Sequence, residues 1–195
     1  MKATNDWVEF ILNQPLEAPP GLRYSFNTGG GVLLASIIEN ASGVAFDAFL
    51  KESIFDPLTI SSASIEQDPT GTYNGGDGYS VSLLDWTKLA YLFIKDGIWK
   101  GRTVIDPNFI AESFTSQFKI SGNQEVGYLW TLFGDNYSDQ LGVPHDEIYF
   151  ILGEKGSAIF LLPEQDMVVT ILADNFFGSS IQSLNLLTEI TFSIR

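Results

Sequence analysis

The chain has 195 residues, and its 24 acidic and 10 basic residues give a formal net charge of −14 with the single histidine neutral. Because nucleic acid is bound through basic surface, this charge disfavours a nucleic-acid partner. Hydrophobic residues make up 45% of the chain and charged residues only 17%, where about a quarter is usual, which indicates a folded globule rather than a disordered acidic tail. No apolar run approaches the roughly 18 residues that span a bilayer, so we expect no membrane span.

Metal and cofactor chemistry has little support in the composition. The chain has no cysteine, which excludes disulfides, thiolate nucleophiles and Cys-ligated zinc, and His145 leaves no second imidazole for a His-rich site. Asp68, Asn74 and Asp77 occur in a glycine-rich stretch, but their spacing matches no EF-hand, and turn formation explains residues of these types. We therefore expect no metal and no cofactor.

Hydrophobic residues recur at helical spacing up to about residue 122. We predict a short helix over residues 5–13, capped by Asn5 or Asp6 and stopped by Pro15, and a longer one from Val32 that closes at Gly43. Further helices are predicted over residues 46–55, ended by Asp56-Pro57, over 82–97, and from 106 to about 116. Residues 60–78 are predicted to be a loop.

From about residue 123 the hydrophobic pattern changes to short runs separated by turn residues. The runs cover residues 126–133, 148–152, 158–162 and 167–173, and they predict consecutive, mostly antiparallel strands. A helix over residues 179–194 closes the chain. This order indicates an α+β fold, which we expect to form one domain over residues 1–195. Residues 61–78 and 134–147 are the segments expected to be most flexible.

Several separate motifs follow one another along nearly the whole chain. They are Pro20-Gly21 to Gly43 with Tyr24-Ser25-Phe26-Asn27, Phe55-Asp56-Pro57-Leu58, Ser82-Leu83-Leu84-Asp85-Trp86, Lys95-Asp96-Gly97-Ile98-Trp99, Gly127-Tyr128-Leu129-Trp130 and Ile159 to Asp166. Together they resemble the β-lactamase-related serine hydrolases, which include class C β-lactamases, DD-peptidases, esterases and 6-aminohexanoate-dimer hydrolases. The resemblance implies a partial β-lactamase/penicillin-binding-protein-like fold that lacks the family's N-terminal strands and nucleophile helix.

Catalysis in this family, as the resemblance implies it, needs three elements. A Ser-x-x-Lys turn of helix places nucleophile and ammonium on one face, a Tyr-x-Asn loop supplies a base, and a strand carries Lys-x-Gly or His-x-Gly beside the oxyanion site. The first element is expected well before Pro20, where no Ser-x-x-Lys occurs. Ser116-Gln-Phe-Lys119 matches the spacing but stands at the wrong place in the family's order, so Ser116 and Lys119 are weak candidates.

The other two family positions are occupied by unexpected residues. Counting back from Leu33-Leu34 places the family's tyrosine at Phe26, followed by Asn27, and phenylalanine has no oxygen that accepts a proton. Tyr24 lies two residues earlier, and we interpret its hydroxyl as structural, although a shifted loop would bring it into the site.

The third element falls in Gly153-Glu154-Lys155-Gly156, with Glu154 at the cationic position. A carboxylate there would repel a developing oxyanion. Lys155 is adjacent and would replace the cation if a bulge shifted the strand register, because consecutive strand side chains otherwise point to opposite faces. Lys155-Gly156-Ser157 also resembles the Lys-Thr-Gly signature, so a one-residue shift of the alignment is an open alternative.

Two hypotheses of different kinds follow. The first is the carboxy-terminal portion of a serine hydrolase that transfers an acyl group to water and is inactive alone. The second is a pseudoenzyme that binds a ligand or partner in the remnant cleft, and a decayed gene is a third possibility. Without the family's N-terminal strands, residues 167–173 would form an open edge that captures the N-terminal half or a second copy. The chain as written carries no signal peptide and would be cytoplasmic, whereas a full-length parent could be periplasmic or secreted.

Overall fold

The structure is a computed structural model that describes residues 1–120, 124–133, 148–174 and 181–193. The chain divides into two compact units, Met1–Ser82 and Leu83–Arg195. Helices dominate the first unit, and an antiparallel sheet with helices forms the second, so the predicted α+β class is confirmed. The expectation of one domain over residues 1–195 stays a prediction.

Two capped helices open the first unit. Helix α1, Trp7–Leu12, begins after Asp6, whose carboxylate accepts a hydrogen bond from the Glu9 N–H at 2.8 Å. Helix α2, Thr28–Ser42, ends at Gly43, whose φ of +72° suits a left-handed cap. Both predicted helices are confirmed, with α2 beginning four residues before Val32.

The third predicted helix has a different end from the one expected. Helix α3, Phe46–Leu50, leads into a π turn, Lys51–Phe55, and then into α4, Asp56–Leu58, so the helical path continues through Asp56-Pro57. The Asp56 N–H donates to the Lys51 carbonyl five residues back. Pro57 has no N–H, so the helical path can continue through it without leaving a backbone donor unpaired.

The segment predicted to be a loop contains a short antiparallel pair. Strand β1, Ser64–Ile65, pairs with β2, Tyr79–Ser80. The turns between these strands approach α2 closely, because a Cβ on Gly31 would lie 2.4 Å from the Cα of Gly76. This contact explains the glycine at position 31. The flexibility expected of residues 61–78 stays a prediction, and residues 134–147 lie outside the described residues.

The second unit begins with helix α5, Leu83–Ile94, which is followed by a hairpin and helix α6, Pro107–Phe114. The Asp106 carboxylate caps α6 by accepting from the Asn108 N–H at 2.8 Å. The remaining elements are β3 Ile98–Trp99, β4 Arg102–Thr103, β5 Phe118–Lys119, β6 Gln124–Val126, β7 Thr131–Phe133, β8 Tyr149–Leu152, β9 Ala158–Leu162, β10 Met167–Ile171 and α7 Ile181–Ser193.

Strands β5 to β10 form one antiparallel sheet in the order β10-β9-β8-β7-β6-β5. The predicted strands over residues 148–152, 158–162 and 167–173 are confirmed as consecutive antiparallel neighbours, whereas β5 was not predicted. The run predicted to be one strand over residues 126–133 is two strands instead. They are separated by a turn in which the Gly127 N–H donates to the Trp130 carbonyl and Leu129 has a φ of +68°. Strand β10 stands at one edge of the sheet, with β9 as its single neighbour in the part of the chain that is described.

Alternating strand residues build a core on each face of the sheet. On one face, Phe150, Phe160 and Leu162 pack with Leu187 of α7. On the other, Tyr149 and Leu161 pack with Ala90 of α5 and with Trp130. Strand β10 contributes to both clusters, through Val169 on the first face and Val168 on the second.

The described residues contain no single helix that is long and apolar enough to cross a membrane, although Thr28–Ser42 and Phe46–Leu58 pass that test together as a pair bent by 82°.

Candidate functional site

The first candidate positions lie just before α2 in the unit Met1–Ser82. Asn27 is the N-cap of this helix, and its side-chain oxygen accepts from the Gly30 N–H at 2.8 Å. The Phe26 ring is 61% exposed and offers no proton acceptor. Asn27 therefore has a local structural role, which the sequence analysis did not predict although Asn is a preferred N-cap residue.

Tyr24, the alternative source of a phenolic oxygen, is partly buried. Burial raises the pKa of its hydroxyl above the ordinary value of 10.0. A phenolate base needs the opposite shift, because the charged form must be populated at neutral pH. The environment of Tyr24 thus disfavours proton abstraction, and its structural role stays a prediction.

A cavity of about 570 Å³ lies beside this segment. Its wall includes Ser25, Asn27 and Gly29 from the start of α2 and Arg23 from the preceding loop. The Arg23 guanidinium is 2.6 Å from the Glu17 carboxylate, so its charge is paired at the surface. The cavity lies within the range of volumes that small-molecule sites occupy.

Ser116 and Lys119, the residues of the Ser-x-x-Lys match, do not share a helical turn. Helix α6 ends at Phe114, and Lys119 belongs to β5. Both side chains interact instead with Glu125 of the neighbouring strand, where hydrogen bonds from Ser116 and Lys119 lower the pKa of the Glu125 carboxyl. The Lys119 ammonium is 3.3 Å from that carboxylate and 84% exposed. This arrangement lacks the helical geometry that activates the family's nucleophile.

Glu154, Lys155 and Gly156 form a tight turn between β8 and β9 rather than a length of strand. Lys155 has a φ of +57°, so the expectation that strand alternation sets its direction does not apply. Its ammonium lies 2.7 Å from the Asp174 carboxylate. The carbonyl of Gly156 accepts from the buried Ser183 hydroxyl at 2.6 Å, which ties the turn to α7.

Ser157, the last residue of the Lys155-Gly156-Ser157 match, connects this turn to the residues that follow β10. Its hydroxyl donates to the Ala173 carbonyl and accepts from the Ala173 N–H, both at 3.2 Å. Because the Ser157 hydroxyl bonds both the carbonyl and the N–H of Ala173, its role is structural. The local sequence Gly153 to Ser157 gives no signal for this contact, because the contact depends on strand pairing.

The acidic residues of the glycine-rich stretch in the first unit satisfy backbone donors. The Asp68 carboxylate, 5% exposed, accepts from the N–H groups of Trp7, Thr70 and Thr72 at 2.9 Å and from the Thr70 hydroxyl at 2.7 Å. Such contacts are typical of turn formation. Within the described ranges, no group of three or more His, Cys, Asp or Glu residues could hold a metal ion.

Comparison with known proteins agrees with this fold. Residues 1–186 match the family model for β-lactamases. The probable hydrolase clz13 of Cochliobolus lunatus is 24% identical over 182 residues, covering 85% of this chain and 28% of that protein.

Two solved structures show the same fold over about nine-tenths of the chain. A candidate 6-aminohexanoate-dimer hydrolase from Bacillus anthracis aligns with a TM-score of 0.79 and 20% identity over 94% of this chain and 47% of its own. An octameric penicillin-binding protein homologue from Pyrococcus abyssi aligns with a TM-score of 0.69 and 20% identity, over 89% and 44%. The chain thus spans less than half the length of these relatives, and by its match over 186 residues it belongs to the β-lactamase family.

Proposed function

We propose that the chain is the carboxy-terminal portion of a β-lactamase-family serine hydrolase domain and has no hydrolytic activity alone. The reaction of the assembled domain is acyl transfer to water at an ester, amide or β-lactam. One observation carries the proposal: residues 1–186 match the family model, yet the chain covers only 47% and 44% of the two structural relatives. The matched range contains the whole of the first unit and most of the second, which supports their belonging to one domain.

The residues at the family positions support inactivity of the chain alone. An acyl-enzyme requires a serine oxygen whose proton passes to a nearby base. Phe26 offers no acceptor, the pKa of Tyr24 is raised by burial, and Ser116 is bound to a carboxylate rather than placed above a lysine on a helix. Glu154 stands where the family resemblance implies a cation, and a carboxylate there would repel a developing oxyanion. The nucleophile must therefore come from other residues.

The open edge of the sheet supports a partner strand. Strand β10 and the residues after it, Met167 to Ala173, carry no charge, and unpaired edges without charge pair readily with another chain. We infer that this edge binds an N-terminal segment of the same hydrolase or, in its absence, a second copy of the chain.

Purified chain tests the first proposal with a chromogenic ester and a chromogenic cephalosporin. We expect no turnover above buffer, and Ser116→Ala to match wild type. Turnover that Ser116→Ala abolishes would overturn the inactivity proposal. Sequencing the coding DNA upstream of Met1 tests the proposal that the chain is the carboxy-terminal portion of a longer hydrolase, which predicts an in-frame Ser-x-x-Lys there. In the longer chain, Phe26→Tyr and Glu154→His should raise kcat/KM.

Self-association tests the edge. Leu172 is 72% exposed just beyond β10, and Leu84 is 68% exposed on α5. We expect the chain to sediment as a dimer or larger species, Leu172→Lys to shift it towards monomer because the added charge resists desolvation in a strand pair, and Leu84→Lys to leave it unchanged. A monodisperse wild-type monomer with cooperative melting would count against the edge proposal.

A binding role without catalysis is the second candidate, and the 570 Å³ cavity beside Asn27 favours it. In that case a ligand would bind the chain saturably, and the ester and cephalosporin would not be hydrolysed. A stop codon directly upstream of Met1 would also favour this candidate, because no nucleophile would then be supplied by the same gene. Hydrolysis by the joined chain that depends on its new serine would reject this candidate.

A further inference from the structure

Basic residues are concentrated in one stretch of this acidic chain. Four of its ten Lys and Arg residues, namely Lys88, Lys95, Lys100 and Arg102, lie between residues 88 and 102, where Asp96 is the only acidic residue. The stretch covers the last part of α5 and the β3–β4 hairpin. On a protein of net charge −14, this is a local excess of positive charge.

Two of the four basic side chains have carboxylate partners and two do not. Lys88 lies 2.7 Å from Asp85, and Lys95 lies 2.6 Å from Asp166. Neither Lys100 nor Arg102 forms an ion pair with any residue that the structure describes. Trp99 stands opposite Arg102 in the hairpin, and directly opposed residues place their side chains on the same face. The unpaired cations therefore flank Trp99.

An open cavity of about 630 Å³ adjoins these residues. The rings of Tyr91 and Trp99, 6.4 Å apart at 85°, line it together with Ile94 and Ile98. Lys95 and Lys100 also line it, with the Lys95 ammonium 5.2 Å from the Tyr91 ring centre and the Lys100 ammonium 5.9 Å from that of Trp99. The cavity thus combines apolar walls with two ammonium groups held beside aromatic rings.

The Trp99 side chain also carries an unused hydrogen-bond donor. Its Nε1 is buried and has no acceptor among the described residues. A buried donor without an acceptor is unfavourable, so a ligand group that reached this N–H would gain a hydrogen bond. Lys100 and Gly101 have φ values of +48° and +80° and form the tight turn between β3 and β4, so the backbone of Lys100 is held in a defined conformation.

We propose that this cavity binds a ring-bearing organic carboxylate, whose ring packs against Tyr91, Ile94 and Ile98 and whose carboxylate pairs with Lys100. Asp96 also lines the cavity, and Asp166 compensates Lys95, which leaves Lys100 as the main anion-binding group. Repulsion from the remaining acidic surface is screened beyond about 8 Å at physiological ionic strength. The site uses no residue of the proposed hydrolytic machinery.

The test titrates the full chain with 1-naphthoate and, separately, with its neutral analogue 1-naphthylmethanol. The signal of the Trp99 indole N–H, assigned by its loss in Trp99→Phe, reports occupancy in nitrogen–proton correlation spectra. We expect saturable movement of this signal with naphthoate, and a dissociation constant about fivefold or more higher for the alcohol, since loss of one ion pair corresponds to about 1 kcal/mol. Added salt should weaken naphthoate binding and leave the alcohol unaffected.

Matched lysine variants complete the experiment. Lys100→Gln should raise the naphthoate dissociation constant about fivefold, Lys100→Arg should retain binding, and Lys51→Gln, which removes an exposed lysine from the other unit, should change nothing. Equal binding of acid and alcohol, an unchanged constant in Lys100→Gln, or no saturable movement of the Trp99 signal would each overturn the proposal. Because the readout is binding, it does not depend on whether the chain or any joined form hydrolyses an ester.

Discussion

In the unit Met1–Ser82, the fully buried Asn74 uses all of its side-chain hydrogen-bonding capacity. Its amide donates to Glu66 and Asp77, and its oxygen accepts from the N–H groups of Gly76 and Asp77. In the unit Leu83–Arg195, the fully buried Phe160 makes ring contact with Phe150 in an apolar cluster on one face of the sheet. Asn74 therefore stabilises its surroundings through satisfied polar groups, and Phe160 through side-chain volume.

This difference predicts which substitutions each unit tolerates. Buried polar groups lose the most when one partner is removed, because the other partner is left without a hydrogen bond. Apolar cores lose in proportion to the volume that is deleted. Hydrogen exchange measured separately on peptides from each unit can therefore show where each substitution destabilises the chain.

The largest effect is expected from Phe160→Ala. Removing a fully buried ring should lower the free energy of unfolding by about 3–5 kcal/mol, whereas Phe160→Leu, which retains most of the volume, should cost much less. Exchange should accelerate mainly in strands β8 to β10. Equal acceleration in the unit Met1–Ser82 would show that the two units unfold together and would weaken the comparison.

Gly31→Ala should come next, with a loss of about 3 kcal/mol, because the new Cβ would lie 2.4 Å from the Cα and 2.6 Å from the nitrogen of Gly76. Gly30→Ala is the matched control. The nearest atom to its Cβ is 3.7 Å away, so alanine should be tolerated and stabilise α2 by up to about 1 kcal/mol. Chemical denaturation measures both, and equal stability of the two variants would contradict the close contact.

Asp68→Asn should cost about 2 kcal/mol at neutral pH, because the new amide would face the Trp7 N–H and leave two donors unpaired. Burial raises the pKa of the Asp68 carboxyl, but the hydrogen bonds from Trp7, Thr70 and Thr72 outweigh this and hold the pKa below its ordinary value of 3.8. The stabilisation is therefore complete above about pH 4 and is lost as the pH falls further.

The difference in stability between wild type and Asp68→Asn should accordingly shrink in denaturation experiments below pH 4. A difference that stays constant from pH 7 to pH 3 would show that the carboxylate charge makes no contribution. The same experiment on Thr70→Val, which removes one of the donors to Asp68, should give a smaller loss with the same pH trend.

The smallest effect is a gain. Leu129 is 54% exposed and has a φ of +68°, a region that costs a non-glycine residue about 1 kcal/mol. Leu129→Gly should therefore raise the melting temperature slightly, after the greater chain entropy of glycine in the unfolded state is subtracted. Leu129→Val should lower it, since a β-branched residue fits this conformation poorly. A lower melting temperature for glycine than for valine would contradict this account.

The sequence was sufficient for elements whose signals are local. Asp6 and Asp106 mark helix starts, Gly43 marks a helix end, and residues 158–162 form the predicted strand. Local patterns did not predict the break after Val126, because Leu129 adopts a backbone conformation that its side chain disfavours. They also missed strands of two residues, such as β1 and β5, which are too short to show a period.

The candidate positions were predictable only in part. The order of the motifs located Phe26, Asn27 and Glu154 along the chain. The strand geometry expected for Lys155 was wrong, because residues 154–156 form a turn. The roles of Ser157 and Ser183 depend on partners 16 and 27 residues away in sequence, which no short motif encodes. Their hydrogen bonds appear only when β9, β10 and α7 are assembled.

The strand order β5 to β10 repeats the order in which the ribosome makes these strands. Each strand pairs with its predecessor, so the sheet can grow by successive local steps, and topologies with local contacts fold rapidly. The strand at the open edge, β10, is made last. A complementing strand placed before Met1 would have to close a loop that includes at least the 166 residues preceding Met167, and the entropic cost of closure rises with loop length. In an assembled hydrolase, docking of that strand would be the slow step of folding, and it would follow formation of the β5 to β10 sheet.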